Sequence, residues 1–259
     1  MRLSLQGKWI LVTGGSSGFG AAAARAFAAE GAHLILGARR IEHLKKVAAE
    51  ARSAGAPKAE FHGLDVSRTD SVTEFADWVR RISPRVDVLI NNAGGAHGLD
   101  TVAQGKDADW EAMIQSNVLG ILRVTRAILP LMPHDAGASI LNIGSIAGHT
   151  AYEGGAVYCA AKAAELQITR ALRLELNGTG IRVGSLDPGL AETEFSLVRF
   201  KGDADRARKV YEGMRPLTAE DIAETLVWIA SRPAHINIDE MLIKPVDQAS
   251  MQKVFRRKG

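Results

Sequence analysis

A single cysteine, Cys159, in 259 residues excludes an internal disulfide framework, so nothing in the chain demands an oxidising compartment. Long hydrophobic runs are missing as well. The only apolar run near the N-terminus is Trp9–Val12, too short for a secretory signal, and no stretch approaches the roughly 18 apolar residues of a membrane span. A cytoplasmic protein with no membrane partner is expected. Aromatic residues make up 5%, too few for the interleaved aromatic and basic side chains on which nucleic-acid bases stack. A strong charge imbalance is also lacking. Four of the basic residues, Lys253, Arg256, Arg257 and Lys258, lie in the acid-free tail 251–259, and the preceding 250 residues hold 28 basic and 29 acidic side chains. The net charge of +3 therefore belongs to a mobile-looking tail without an assigned role and is no argument for nucleic acid.

What is present is an ordinary globular composition, 46% hydrophobic and 24% charged, arranged in a regular alternation. Short apolar runs at Trp9–Val12, His33–Leu36, Ala59–His62, Val86–Ile90, Ser139–Ile143, Arg182–Leu186 and Glu240–Ile243 read as strands. Helix-period segments lie between them at Phe19–Glu30, Ile41–Ala54, Asp70–Ile82, Asp107–Leu131, Ala156–Asn177 and Thr218–Ala230. Strands that are nearly all apolar and alternate with helices predict a parallel sheet buried on both faces. No linker or repeat divides the alternation. The expectation is an α/β fold: one Rossmann-type doubly wound domain over residues 1–250, with about seven parallel strands and helices on both faces. The longest unpatterned stretch, about Pro188 to Asp205, reads as a loop long enough to serve as a lid, or as a plain connector.

The first strand runs into Thr13-Gly14-Gly15-Ser16-Ser17-Gly18-Phe19-Gly20, which opens a helix. Glycines at such a turn let a pyrophosphate approach the backbone while helix N–H groups face the anion; tight packing alone would also call for them. The second strand ends at Arg39 and Arg40, where an NAD site would carry an acid. Guanidinium suits a 2′-phosphate, so NADP is the expected cofactor, the competing reading being a solvated charge pair. The third strand ends in Leu64-Asp65-Val66 and the fourth in Asn91-Asn92-Ala93-Gly94, with Gly95 following. Strand C-termini are where an open α/β sheet binds ligands, although Asp and Asn–Gly clusters are also common turn formers.

Farther along, the fifth strand delivers Gly144-Ser145, and Tyr158-Cys159-Ala160-Ala161-Lys162 follows. Tyr158 and Lys162 are i,i+4 on one helix and share a face. A phenol ionises near 10, and an ammonium beside it favours the phenolate, which makes a usable base; an amphipathic surface pair would have the same spacing. Read on its own, Asn117 is a helix-interior polar residue with a local bond.

Taken together, Thr13–Gly20, Asp65, Asn91–Gly94, Asn117, Ser145, Tyr158, Lys162 and Pro188–Gly189 stand in an order that resembles the short-chain dehydrogenase/reductase family over nearly the whole chain. The resemblance implies that Tyr158 is the acid/base at the substrate oxygen and that Ser145 hydrogen-bonds that oxygen. Lys162 would hold the nicotinamide ribose and favour the Tyr158 phenolate, and Asn117 would hold a water in a proton relay. It further implies NADP contacts from Gly14, Ser16, Ser17, Gly18, Phe19, Arg39, Arg40, Asp65, Val66, Asn92, Ala93, Gly94, Tyr158, Lys162, Pro188, Gly189 and Thr193. No metal is assigned, and a homotetramer formed through the long helices is implied.

The downstream half, at Thr193–Ser196, Val198–Asp203 and Pro233–Ile238, resembles a narrower group, the NADP-dependent 3-hydroxy acid dehydrogenases acting on serine and allo-threonine, with Asp187 standing where that group has Glu. The substrate would be a small 3-hydroxy acid, held by Ser145, Tyr158 and Arg199. Arg199 or Lys201 could pair with its carboxylate, or both could belong to a solvated loop or a subunit contact. His149 and Tyr152 stand where substrate would meet the enzyme. The alternatives are an NADPH-dependent reductase of a small aldehyde or ketone, sulfoacetaldehyde-like or non-acidic, and, more remotely, a non-catalytic NADP-binding protein.

Overall fold

All seven apolar runs form strands. In the computed structural model, which describes residues 2–134 and 137–257, they are β1 (Trp9–Thr13), β2 (His33–Ala38), β3 (Ala59–Gly63), β4 (Val88–Asn91), β5 (Ser139–Ile143), β6 (Arg182–Pro188) and β7 (Glu240–Ile243). They pair in the order β3-β2-β1-β4-β5-β6-β7, every pairing parallel. The chain reverses its direction of travel across the sheet between β1 and β4, which places a crevice at the C-terminal ends of these strands.

The pleat divides the core in two. Ile10, Val12, Leu34, Leu36 and Ile90 point to one face and pack under α1 (Gly18–Ala29), α2 (Ile41–Ser53) and α9 (Ala219–Ala230). Trp9, Leu11, Ile35, Leu89 and Ile140 point to the other, under α3 (Thr69–Ile82), α5 (Gly120–Ile128) and α6 (Ala156–Glu175). Each fully buried Leu or Ile contributes roughly 1.5–3 kcal/mol, so a strand buried on both faces is fixed in register without help from loops. Polar caps add to this where the sequence supplies them: Thr218 and Asp221 form a capping box at α9.

Three expectations are corrected. The single helix expected over Asp107–Leu131 is segmented: α4 (Asp107–Ile114) passes into a π-helical turn at Gln115–Leu119, then α5, then a 3-10 turn at Leu129–Leu131. The stretch read as a loop, Pro188 to Asp205, holds α7 (Glu194–Arg199) and the start of α8 (Ala204–Lys209), capped by the Thr193 and Asp203 side chains. The basic tail is tied down as far as it is described. Arg257 pairs with Asp247 and donates its N–H to Gly213 O at 2.7 Å, while Arg256 reaches the carbonyls of Val210 and Glu212. Lys258 and Gly259 lie outside the described residues.

Candidate active site

The C-terminal edge of the sheet opens on one cleft of about 1020 Å³, at the upper end of the roughly 300–1,000 Å³ usual for small-molecule sites. The residues expected to touch cofactor or substrate line it, with the exceptions of Asn117, His149 and Lys201.

At the β1–α1 turn the backbone does the shaping. Gly14 takes a φ of +66°, a conformation that favours glycine, and a Cβ on Gly20 would sit 2.4 Å from Gly14 O. Helix α1 has no acid in its first turn, and the Ser17 side chain makes no capping bond, so its first N–H groups stay available to an anion. The β4 loop is stapled to this turn. Thr13 Oγ1 accepts from the N–H groups of Asn92 and Ala93, both at 3.0 Å, and Asn92 Nδ2 donates to Thr13 O at 2.9 Å. Asp65 Oδ1 accepts from the Ser67 N–H and hydroxyl; Oδ2 makes no bond among the described residues.

The two arginines after β2 differ. Arg40 donates to Ser17 Oγ and, at 2.9 Å, to Glu194 of α7, so it joins the glycine turn to α7. Partial burial would raise the Glu194 carboxyl, but the Arg40 bond and charge hold it below the usual range. Arg39 makes no ion pair among the described residues; it is exposed and lines the cleft.

Asn117 lies in the π-helical turn and is buried. Its Nδ2 donates to Gly95 O and Met113 O, and its Oδ1 accepts from Gly95 N–H. The side chain clamps the loop after β4, and a Cβ on Gly94 would fall 2.4 Å from Asn117 Oδ1. Gly94 is thus required by Asn117, whereas a Cβ on Gly95 would meet nothing within 4 Å.

At the reacting end, Ser145 caps the turn after β5: its Oγ accepts from Ala147 N–H at 3.1 Å, which leaves the hydroxyl proton for another acceptor. Tyr158 and Lys162, both buried in α6, flank the same region, with Lys162 Nζ 6.0 Å from the Tyr158 ring centroid. Lys162 Nζ donates to Ile143 O and to Glu165 Oε2, each at 2.7 Å. Burial works against the ammonium, but the charges of Glu165 and Tyr158 hold Lys162 above its ordinary value. Behind them Asp187, fully enclosed, is bonded to His149 Nε2 at 2.7 Å and to Ser185 Oγ. Gly144 makes room for it. His149 therefore serves Asp187 and does not line the cleft, while Tyr152 does.

The two cations of the stretch after β6 point in different directions. Arg199 projects into the cleft, 5.7 Å from the Tyr158 ring centroid, donating to Tyr152 OH and to Gly98 O. Lys201 turns away to Asp109 at 2.8 Å, with a φ of +54°. Burial pushes the Tyr152 phenol up to about 12 against the opposing pull of Arg199, so it stays protonated across any working pH. Sequence reasoning missed Glu165 and Glu194, whose partners lie on the reacting helix and across the cleft. It also missed the cleft-lining Gln248 and Met251 just past β7.

The chain and its fold have close counterparts. An NADP-dependent 3-hydroxy acid dehydrogenase of Schizosaccharomyces pombe is 42% identical, the match covering 98% of this chain and 99% of that one. Sulfoacetaldehyde reductase 2 of Chromohalobacter salexigens is 43% identical over 93% of this chain and 95% of its own. The closed form of a serine dehydrogenase complexed with NADP+ superposes with a TM-score of 0.87 at 38% identity, covering 96% of this chain and all of the other. The family model for short chain dehydrogenases matches residues 8–203. The chain belongs to the short chain dehydrogenase family.

Proposed function

We propose that this protein is an NADP-dependent oxidoreductase interconverting a small 3-hydroxy acid, of the serine, allo-threonine or 3-hydroxypropanoate type, with its carbonyl form. The observation that carries the reading is the Arg199 guanidinium inside the cleft, 5.7 Å from the Tyr158 ring centroid. A fixed cation at that range suits a substrate whose carboxylate lies two bonds from the reacting carbon. Arg39, which has no ion-pair partner among the described residues and follows β2, supports the 2′-phosphorylated dinucleotide.

NADP, when bound, supplies the hydride in reduction and accepts it in oxidation. The chain does the rest. Gly14–Phe19, Asp65, Val66 and Asn92–Gly94 would hold the cofactor along the strand ends, with Pro188, Gly189 and Thr193 on the other side. Ser145 donates its hydroxyl proton to the substrate oxygen. Tyr158 takes the hydroxyl proton in oxidation and returns it in reduction, a positioned transfer worth about 10²–10⁴ in rate. Lys162 favours the phenolate, and Asn117 holds the loop at Gly95, consistent with a relay at the adjoining helix turn. The lid carrying α7 and α8 excludes water from the reacting atoms.

A panel of D- and L-serine, L-allo-threonine, 3-hydroxypropanoate and uncharged alcohols, run with NADP+ and with NAD+, tests this. The acids should turn over with NADP+. Turnover of uncharged alcohols alone, or a preference for NAD+, would overturn it. A second reading, reduction of sulfoacetaldehyde, is favoured by the sulfoacetaldehyde reductase relative and by an anion at the same spacing from the carbonyl. The ratio of kcat/KM for sulfoacetaldehyde and a carboxylate aldehyde, with NADPH, separates the two.

Ile114 and Leu122, exposed on the α4–α5 segment, and Leu174 on α6 support assembly into a homotetramer, which light scattering of the purified protein checks. No helix among the described residues is long and apolar enough to cross a membrane. A cytoplasmic location remains the proposed setting, and fractionation tests it.

A further inference from the structure

The reacting helix carries a carboxylate that the proposed chemistry does not use. Glu165 lies one turn beyond Lys162, 1% exposed, with Oε2 at 2.7 Å from Lys162 Nζ. Its other oxygen, Oε1, is buried without a hydrogen-bond partner among the described residues. A buried carboxylate with one oxygen unsatisfied is costly unless the charge it faces repays the loss of solvent. The groups facing it are few. On its own helix they are Lys162 and, through Lys162, Tyr158; from β6 it faces Asp187, whose other partner is His149. Arg170 and Glu240, paired with each other at 2.6 Å, lie beyond Asp187.

We propose that Glu165 is a positioning residue that balances the Lys162 charge, so that Lys162 favours the Tyr158 phenolate less than a lone ammonium would. The inference rests on the reading of Tyr158 and Lys162 as the proton-transfer pair. An ammonium alone beside Tyr158 would favour the phenolate; an ammonium already neutralised at 2.7 Å favours it less. Burial, with the Asp187 charge adding to it and Lys162 opposing, pushes the Glu165 carboxyl up to about 7. The balance is therefore complete on the alkaline side of neutrality and relaxes below it. Where it is ionised, Glu165 lessens the pull of Lys162 toward the Tyr158 phenolate, and it does so without touching substrate.

The test is the pH dependence of kcat/KM in both directions, from about pH 6 to about pH 10, for the full-length wild-type enzyme, Glu165→Gln, Glu165→Asp and Tyr158→Phe. With Asp187 and Ile143 O still facing it, Lys162 stays charged in Glu165→Gln. The rising limb of oxidation and the falling limb of reduction should then both move down by about one pH unit, roughly tenfold in oxidation rate on the acid limb. Glu165→Asp, which keeps the charge, should return toward wild type. A merely structural residue would depress both directions and leave the midpoints in place. Midpoints that stay put, or that move up because Lys162 loses its proton, overturn the inference. If Glu165→Gln does not fold, Glu165→Leu fills the same space without a polar atom and is read in the same way. Infrared difference spectra of the wild type through neutrality should also carry the loss of a buried carboxylic acid band, and a Glu165 carboxyl protonated throughout that range overturns the inference as well, since it would carry no charge to set against Lys162. The reading beneath fails separately, if Tyr158→Phe keeps wild-type turnover.

Discussion

Both ends of the cleft sit on the same edge of one sheet, yet they are made precise by different means. From Gly14 to Gly20 the chain offers backbone: a positive φ at Gly14, a helix start without acids, and a loop stapled in place through Thr13 and Asn92. From Ser145 to Lys162 it offers side chains, locked by burial and by bonds to Ala147, Ile143 and Glu165. Backbone shapes suit a ligand bound the same way in every turnover. Side chains suit atoms whose charge changes during the reaction. The sharpest break of this contrast is Tyr158→Phe, which removes one oxygen and keeps the ring packed near Phe195, 5.7 Å between centroids. Turnover should fall by about 10²–10⁴ while NADPH affinity, followed by its fluorescence, is retained.

The matching break at the cofactor end is Gly20→Ala. Its Cβ would lie 2.4 Å from Gly14 O and 2.7 Å from Asn92 Nδ2, and the backbone atom cannot swing away. Overpacking of this kind costs about 1–3 kcal/mol. The cost should appear as a lower unfolding temperature and weaker NADP binding, with kcat at saturating cofactor affected far less. Gly95→Ala, opening on empty space, is the control and should behave as wild type.

Why one end was more legible than the other follows from the same contrast. Strands buried on both faces leave continuous apolar runs, so β1 to β7 and most helices could be read from residue type alone. The glycine turn, Ser145, Tyr158 and Lys162 were legible because their spacing carries the chemistry. The π-helical turn around Asn117 left no periodic trace, since one extra residue in a turn shifts a pattern without erasing it. Helices α7 and α8 span six residues each, below the length at which amphipathic periodicity can be recognised; their only signals were Thr193 and Asp203 as cap residues. Glu165 was missed because its pairing with Lys162 matters only where α6 is buried, and burial depends on what packs above the helix. The Arg40–Glu194 bond joins residues 154 apart in sequence and had no local signature.

A smaller effect is expected where the two ends meet at the lid. Arg199→Leu removes the cation near Tyr158 along with its bonds to Tyr152 and Gly98 O. Charge-assisted hydrogen bonds contribute about 1.5–3 kcal/mol, so kcat/KM for a 3-hydroxy acid should drop roughly 10- to 150-fold, mostly through KM. An uncharged alcohol should lose little. An equal loss for both would mean that Arg199 orders the lid and does not recognise the acid.

The smallest effect separates the two arginines of the cofactor end. Arg40 is engaged with Ser17 and Glu194, so Arg40→Ala would loosen the lid and alter binding of NADP+ and NAD+ alike. Arg39 has no such duty. Arg39→Ala should lower the preference for NADP+ over NAD+ by about tenfold at low salt, and by less as salt rises, because the guanidinium is exposed and its attraction to a 2′-phosphate is screened. If Arg39→Ala leaves the preference unchanged and Arg40→Ala abolishes it, the phosphate is held by Arg40 at the expense of its bond to Glu194. Cofactor entry and lid position would then be coupled through a side chain, and the end built from backbone would resemble the reacting end more than its glycines suggest.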